Sequence, residues 1–151
     1  MKRIISILFL ICIISIAVIG CSKKDDGTDN HAVTAVIDLD MSKMSDVLVY
    51  SQVINIYESP DEYMGKRVKI NGQYYASYFD ETALYYHYVV VGDESLCCQV
   101  GLEFVWNGKH TYPDDYPEDT TEIEVVGVFG SYEELGKTYY FLTVDDISVL
   151  K

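Results

Sequence analysis

The amino-acid sequence predicts a small all-β domain with one helix on its N-terminal side. Tyrosine, valine and isoleucine are abundant, with 14 tyrosines in the chain, and turn residues recur at short intervals. Periodicity alone indicates a barrel or a sandwich. A glycine that interrupts the first strand, where a barrel strand would bend, and a Tyr-x-Gly-Lys turn leading into that strand favour a five-stranded OB-like Greek-key barrel.

A helix is predicted over residues 46–58. Ser45 and Asp46 form a suitable N-terminal cap, and Pro60 ends the helix because the residue before a proline disfavours the helical conformation. Five apolar residues recur at helical spacing: Val47, Tyr50, Val53, Ile54 and Tyr57.

Five strands are predicted after the helix from the alternation of apolar and polar residues. They span residues 67–76, 83–91, 96–106, 122–129 and 137–144, and residues 147–150 are expected to close the sheet. A hairpin turn over residues 134–137 joins the last two strands. The loop of residues 107–120 carries four acidic residues close to two prolines and is predicted to have no regular structure.

The start of the chain has the pattern of a bacterial lipoprotein signal. Lys2 and Arg3 form a basic n-region, residues 4–19 are almost continuously apolar, and Gly20 precedes Cys21. A transmembrane anchor is the alternative, but roughly 16 residues at 1.5 Å each span about 24 Å, short of the ~30 Å hydrocarbon core. The lipoprotein interpretation is therefore favoured.

This interpretation divides the chain into three segments. Residues 1–20 form the signal peptide, residues 21–35 form a flexible polar tether, and residues 36–151 form the OB-like domain. Lipid on Cys21 would anchor the protein to the cell membrane on its extracytoplasmic side, since two acyl chains are what stable anchoring generally needs.

The charge of the chain disfavours two classes of partner. Loss of Lys2 and Arg3 with the signal peptide leaves nine of the 11 basic residues against 24 acidic ones, so the formal charge goes from −13 to −15. Such a surface repels nucleic acid and anionic lipid headgroups. Contact with the membrane is therefore expected through the lipid alone.

The adjacent cysteines Cys97 and Cys98 are the candidate metal ligands. Strand alternation predicts Cys98 in the core beside Val100 and Cys97 on the other face, and a disulfide between sequence neighbours would be strained. Both cysteines being structural is one interpretation, and redox chemistry or modification is another. A third is a metal-handling protein in which Cys97, Cys98 and His87 bind Zn²⁺ or Cu⁺. No other cofactor is expected.

Aromatic residues on the second and third strands are the candidate ligand platform. OB barrels often bind ligands on this face, and Tyr86, Tyr88 and Trp106 could stack on a sugar or heterocycle. The alternative is that these rings pack on the core while the hydroxyls reach water. No catalytic motif is present in the sequence, so a non-catalytic binding module is predicted rather than an enzyme.

Four segments carry a resemblance to bacterial families. Residues 60–72 (PDEYMGKRVKING) resemble the start of OB-like domains in several uncharacterised bacterial families. Residues 97–104 (CCQVGLEF), 112–117 (YPDDYP) and 123–132 (IEVVGVFGSY) resemble, in the same order, a group of small clostridial-type lipoproteins. This resemblance covers about residues 37–144 and implies an OB-like domain on a lipid anchor, with no established activity.

The same segments resemble the C-terminal domain of a family of two-part permeases. That domain has a similar Tyr-x-Gly-Lys turn and a Cys-Cys pair on a middle strand, but an acid follows its cysteines where this chain has Gln99. Ligand chemistry that depends on that acid is therefore not implied. The resemblance implies a module accessory to a membrane transport system, with a transporter or a small ligand as its partner.

Overall fold

The computed structural model describes residues 36–92 and 98–151. Over these ranges the chain is mostly β, with a single α-helix and a six-stranded sheet, and this confirms the predicted β-rich, OB-like class. The predicted signal peptide, Cys21 and the tether lie outside the described residues. Among the described helices, none has the length and apolar character needed to cross a bilayer.

The helix and five of the strands follow one another along the chain as the sequence predicts; three of these strands are longer than predicted, and the strand predicted over residues 96–106 begins later. The elements are β1 (Leu39–Asp40), α1 (Asp46–Glu58), β2 (Arg67–Phe79), β3 (Leu84–Gly92), β4 (Gln99–Trp106), β5 (Glu122–Glu134) and β6 (Lys137–Val149). The bounds of α1 match the prediction. The two-residue β1 was not predicted, and residues 147–149 continue β6 instead of forming a separate closing segment.

Five of the strands form a partly closed ring. Antiparallel pairing joins β2 to β3, β3 to β4, β5 to β6 and β5 back to β2, while β4 and β6 run parallel. The ring order is therefore β2-β3-β4-β6-β5, and β1 adds a short parallel pair outside β2. This connectivity is that of the OB-like barrel predicted from the sequence.

Helix α1 packs against β3 and β4 through one apolar face. Val49, Val53 and Ile56 follow at spacings of four and three residues, so they lie on the same side of the helix and are buried. The hydroxyl of Tyr57 donates a hydrogen bond of 2.7 Å to the carbonyl oxygen of Gly101 in β4. This bond ties the end of the helix to the strand that carries much of the candidate site.

Replacing Tyr57 with phenylalanine is expected to lower the free energy of unfolding by about 1 kcal/mol, because a partly buried hydrogen bond is lost with little change in packing. Urea unfolding followed by circular dichroism measures the difference. Tyr50→Phe is the matched control on α1, since its hydroxyl bonds to none of the described residues. Equal effects of the two substitutions would contradict the role given to the Tyr57 bond.

Gly72 lies where β2 changes partner. Residues up to Gln73 pair with β5, and residues from Gln73 onward pair with β3. A Cβ at Gly72 would lie 2.6 Å from the carbonyl oxygen of Val90 and 2.9 Å from Cγ2 of Val89. The predicted bend at this glycine is therefore accompanied by a close approach of β3 that only glycine allows.

Candidate functional site

Strands β3 and β4 separate at one end of their shared ladder, and a cleft opens between them. Their last pair is His87 opposite Phe104. Beyond it, β3 stays paired with β2, whereas Val105 and Trp106 stay paired with β6. The cleft has a volume of about 450 Å³, inside the ~300–1,000 Å³ range of small-molecule pockets.

Two groups of side chains line the cleft. Neighbouring residues of a strand point to opposite faces, so the two groups lie on opposite faces of the strands. We call the first group the aromatic cluster: His87, Phe104, Trp106 and Tyr116. We call the second group the acidic cluster: Tyr86, Glu103, Tyr132 and Glu134. Phe141, Leu84, Tyr85 and Val105 complete the lining.

The aromatic cluster is held by ring stacking and by one buried hydrogen bond. The ring of His87 lies 3.9 Å from that of Tyr116 at an interplanar angle of 11°, and Trp106 stacks on His110 at 3.7 Å. The Nδ1 atom of His87 is 2.7 Å from the hydroxyl of Tyr74, which is fully buried. Burial lowers the pKa of His87 to about 4, so the imidazole is neutral at physiological pH.

Glu103 is the central residue of the acidic cluster. It is the only buried charged residue among the described residues, with 6% of its surface exposed. The hydroxyl of Tyr132 lies 3.0 Å from one of its carboxylate oxygens and 3.1 Å from the other. Burial, with a smaller contribution from Glu134, raises the pKa of Glu103 to about 7. This carboxyl group is therefore only partly ionised at neutral pH.

Glu134 and Tyr86 connect strands that are not neighbours in the ring. The Tyr86 hydroxyl of β3 donates to a carboxylate oxygen of Glu134 in β5 at 2.7 Å, and lies 2.9 Å from Oγ1 of Thr82. A second cavity of about 130 Å³ adjoins the cleft and shares the whole acidic cluster. Tyr88 and Tyr139 belong to the lining of this second cavity alone.

The acidic cluster has no basic partner among the described residues. The one ion pair found in residues 36–92 and 98–151 joins Lys69 to Glu124, 2.9 Å apart and away from the cleft. Lys137 is opposite Glu134 in the hairpin register but is not within salt-bridge distance of it. The two carboxylates therefore make the cleft acidic, and no described Lys or Arg lies within salt-bridge distance of either.

The structure brings together three of the predicted site residues. Tyr86, His87 and Trp106 all line the cleft, whereas Tyr88 lies next to it in the smaller cavity. All four side chains are partly buried, so they combine a packed ring with an accessible edge. The predicted aromatic platform on these strands thus corresponds to a cavity with defined walls.

The structure separates two of the predicted metal ligands, Cys98 and His87. Cys98 is exposed and precedes the first residue of β4, so its predicted place in the core is wrong. His87 is opposite Phe104, and Phe104 comes six residues after Cys98. Six residues of extended strand correspond to about 20 Å. Cys97 lies outside the described residues. In the part of the chain that is described, no three His, Cys, Asp or Glu side chains are arranged to hold a metal.

The sequence did not identify Glu103, Tyr132 and Glu134 as site residues. Glu103 belonged to the polar face of a predicted strand, and Tyr132 and Glu134 followed the predicted end of another. A two-residue turn at Leu135 and Gly136, both with positive φ, extends the hairpin as far as Glu134. An acid flanked by Leu102 and Phe104 in a central strand is the local signal that could have drawn attention to Glu103.

Comparison with known proteins gives no relative for this chain. No protein-family model matches it, and no curated protein matches it. The functional argument therefore depends on the cleft and on its residues.

Proposed function

We propose that this protein is a non-catalytic, lipid-anchored extracytoplasmic module that binds a small ligand in the cleft between β3 and β4. The observation that carries the proposal is the end of the β3–β4 ladder at His87 and Phe104, which leaves a cavity of about 450 Å³ with aromatic rings and two carboxylates in its lining. Concave, mostly apolar cavities with a few polar groups are the usual form of ligand sites.

The state of His87 makes this residue a poor general acid or base. Its pKa is lowered to about 4, its Nδ1 is hydrogen-bonded to Tyr74, and Tyr116 covers one face of the ring. A general acid or base works best with a pKa near the operating pH. A buried, neutral and stacked imidazole instead suits a rigid wall for a ligand.

The anchored location and the accessory role are parts of the same proposal. The signal pattern that ends at Cys21 supports lipid anchoring. The resemblance to a permease domain supports delivery of the bound ligand to a membrane transporter. Recovery of this protein from the cytosol with an unmodified N-terminus would contradict the anchored location.

The single tryptophan of the chain makes the cleft directly observable. Trp106 is the only tryptophan and lines the cavity, so a ligand bound there should change its fluorescence. We expect a saturable change when the full chain in mild detergent is titrated with members of a library of small polar and aromatic molecules. A second readout is the melting temperature, because a ligand of the native state stabilises it.

Tyr86→Ala is expected to weaken binding of any such compound at least tenfold while leaving the chain folded, since Tyr86 is only partly buried. Tyr78→Ala is the matched control, because Tyr78 is exposed on the adjoining strand and lies outside the cleft lining. If no compound in a broad library alters either readout, a small-ligand function for the cleft is wrong.

A further inference from the structure

We propose that the cleft selects organic cations, namely primary or quaternary ammonium compounds held between the acidic cluster and the aromatic rings. This inference rests on the proposed function and specifies its class of ligand. It is carried by the coincidence of three features in one cavity: a buried carboxylate, a second carboxylate, and several aromatic rings.

The buried carboxylate of Glu103 has less hydrogen bonding than it can accept. An ionised carboxylate can accept about four hydrogen bonds, whereas the Tyr132 hydroxyl is its single side-chain donor among the described residues. Burying such a group without a partner is unfavourable. An ammonium group beside Glu103 would supply a positive charge to balance the carboxylate and N–H groups to donate hydrogen bonds to it.

Glu134 and Tyr86 extend the same binding surface. Their side chains are hydrogen-bonded at 2.7 Å, so one oxygen of Glu134 is fixed at the edge of the cleft. No donor to the other oxygen of this carboxylate is found among the described residues, so that oxygen can accept one from a ligand. Two carboxylates in one cavity favour ligands with a positive charge and repel anions.

The aromatic rings favour an organic cation over a bare metal ion. Ammonium groups are attracted to the faces of Trp, Tyr and Phe within about 6 Å, and the lining includes the partly exposed rings of Trp106, Tyr116 and Phe141. A hard metal ion instead requires several oxygen ligands at short distance. A cavity of about 450 Å³ with this lining matches a hydrocarbon-bearing cation.

Choline and its neutral isostere 3,3-dimethylbutan-1-ol test the role of charge at constant shape. Spermidine serves as the primary-ammonium probe and N-acetylglucosamine as a neutral sugar. Each is titrated into the full chain in mild detergent at pH 8, with Trp106 fluorescence and calorimetry as readouts. We expect choline or spermidine to bind at least tenfold more tightly than either neutral compound.

Glu103→Gln keeps the shape of the side chain and removes its charge, so cation binding should weaken at least tenfold. Glu134→Gln provides a second variant that does not depend on a buried residue. Glu62→Gln is the control, because Glu62 is exposed in the turn that follows α1 and should leave binding unchanged.

Cation affinity should also rise from pH 6 to pH 8, as Glu103 ionises. The groups that face Glu103 are Tyr57 of α1, Tyr86 and Tyr88 of β3, and Tyr132 and Glu134 of β5. Burial raises the pKa of each of these tyrosines, so they remain neutral over this range. Glu103 is then the group that changes charge.

The outcomes separate the two proposals. Equal or tighter binding of a neutral compound, unaffected by Glu103→Gln, would overturn cation selectivity and leave a small-ligand cleft in place. Cation binding that leaves Trp106 fluorescence unchanged and survives both substitutions would place the cation elsewhere and also overturn the inference. Absence of binding by every compound in the wider library would overturn both.

Discussion

Replacing Gly127 with alanine is expected to lower the free energy of unfolding by about 2–3 kcal/mol, since overpacking a filled core has costs of this size. The new Cβ would lie 2.7 Å from Cγ1 of Val144, 2.8 Å from the carbonyl oxygen of Thr143 and 2.9 Å from Cβ of Leu142. All three residues belong to β6, which pairs with β5 at this point. Relief of the clash would require the two strands to move apart.

Gly130→Ala is the matched control for this prediction. Gly130 is in the same strand, but the nearest atom to its added Cβ is Cε1 of Phe141 at 3.5 Å, an ordinary contact. The change in the free energy of unfolding should stay within about 0.5 kcal/mol. Urea unfolding of both variants measures the difference, and similar losses in the two would contradict close packing of β5 against β6 at Gly127.

Glu103→Gln is expected to raise the free energy of unfolding by about 2–3 kcal/mol at pH 8 and to have little effect near pH 4.5, because one pKa unit corresponds to about 1.4 kcal/mol. The folded-state pKa is raised by burial to about 7 from the usual 4.5. The unfolded chain therefore releases this proton at lower pH than the folded chain does. Stability due to Glu103 is lost as pH rises from about 4.5 to 7, whereas glutamine stays neutral throughout.

Thermal unfolding of the wild type and of Glu103→Gln across this pH range tests the prediction. Glu62→Gln again serves as the control for a general change in net charge, because its side chain is exposed. If the melting temperatures of the wild type and of Glu103→Gln differ by the same amount at all pH values, the carboxylate does not titrate in the folded state as described. Added choline should reduce the difference in stability between the wild type and Glu103→Gln at pH 8 if the cation neutralises Glu103.

Local patterns predicted the helix and the five strands of the ring in their order, and the glycine and the Tyr-x-Gly-Lys turn indicated the OB-like barrel, whereas the two-residue β1 was missed. Helix α1 has the predicted bounds, with Ser45 and Pro60 on either side of it, but its buried face of Val49, Val53 and Ile56 shares only Val53 with the predicted apolar positions. Strand ends were less predictable, since pairing with a partner extends a strand through residues of low β propensity. Strand β5 continues through Gly130 and Ser131 because β6 pairs with both.

The candidate site depended more strongly on contacts between distant residues. Glu103 does lie on the outer face that alternation indicates, but its burial comes from side chains such as Tyr132, 29 residues later in the chain. The error at Cys98 has a similar origin. The alternation of apolar and polar residues extends back to Cys98, but the pairing of β3 with β4 starts only at Gly92 and Gln99. The resemblances to lipoproteins and to a permease domain stay predictions.

The way in which the cleft forms affects how it can work. Its two sides are strands held by their other neighbours, β3 by seven pairs with β2 and the end of β4 by pairs with β6. The loop between β4 and β5 adds Tyr116, which is already stacked on His87. A preorganised site of this kind loses little conformational entropy when it is filled. Amide hydrogen exchange along β2 and β6 should therefore be nearly the same in the empty and the occupied protein, with selectivity arising from a rigid frame.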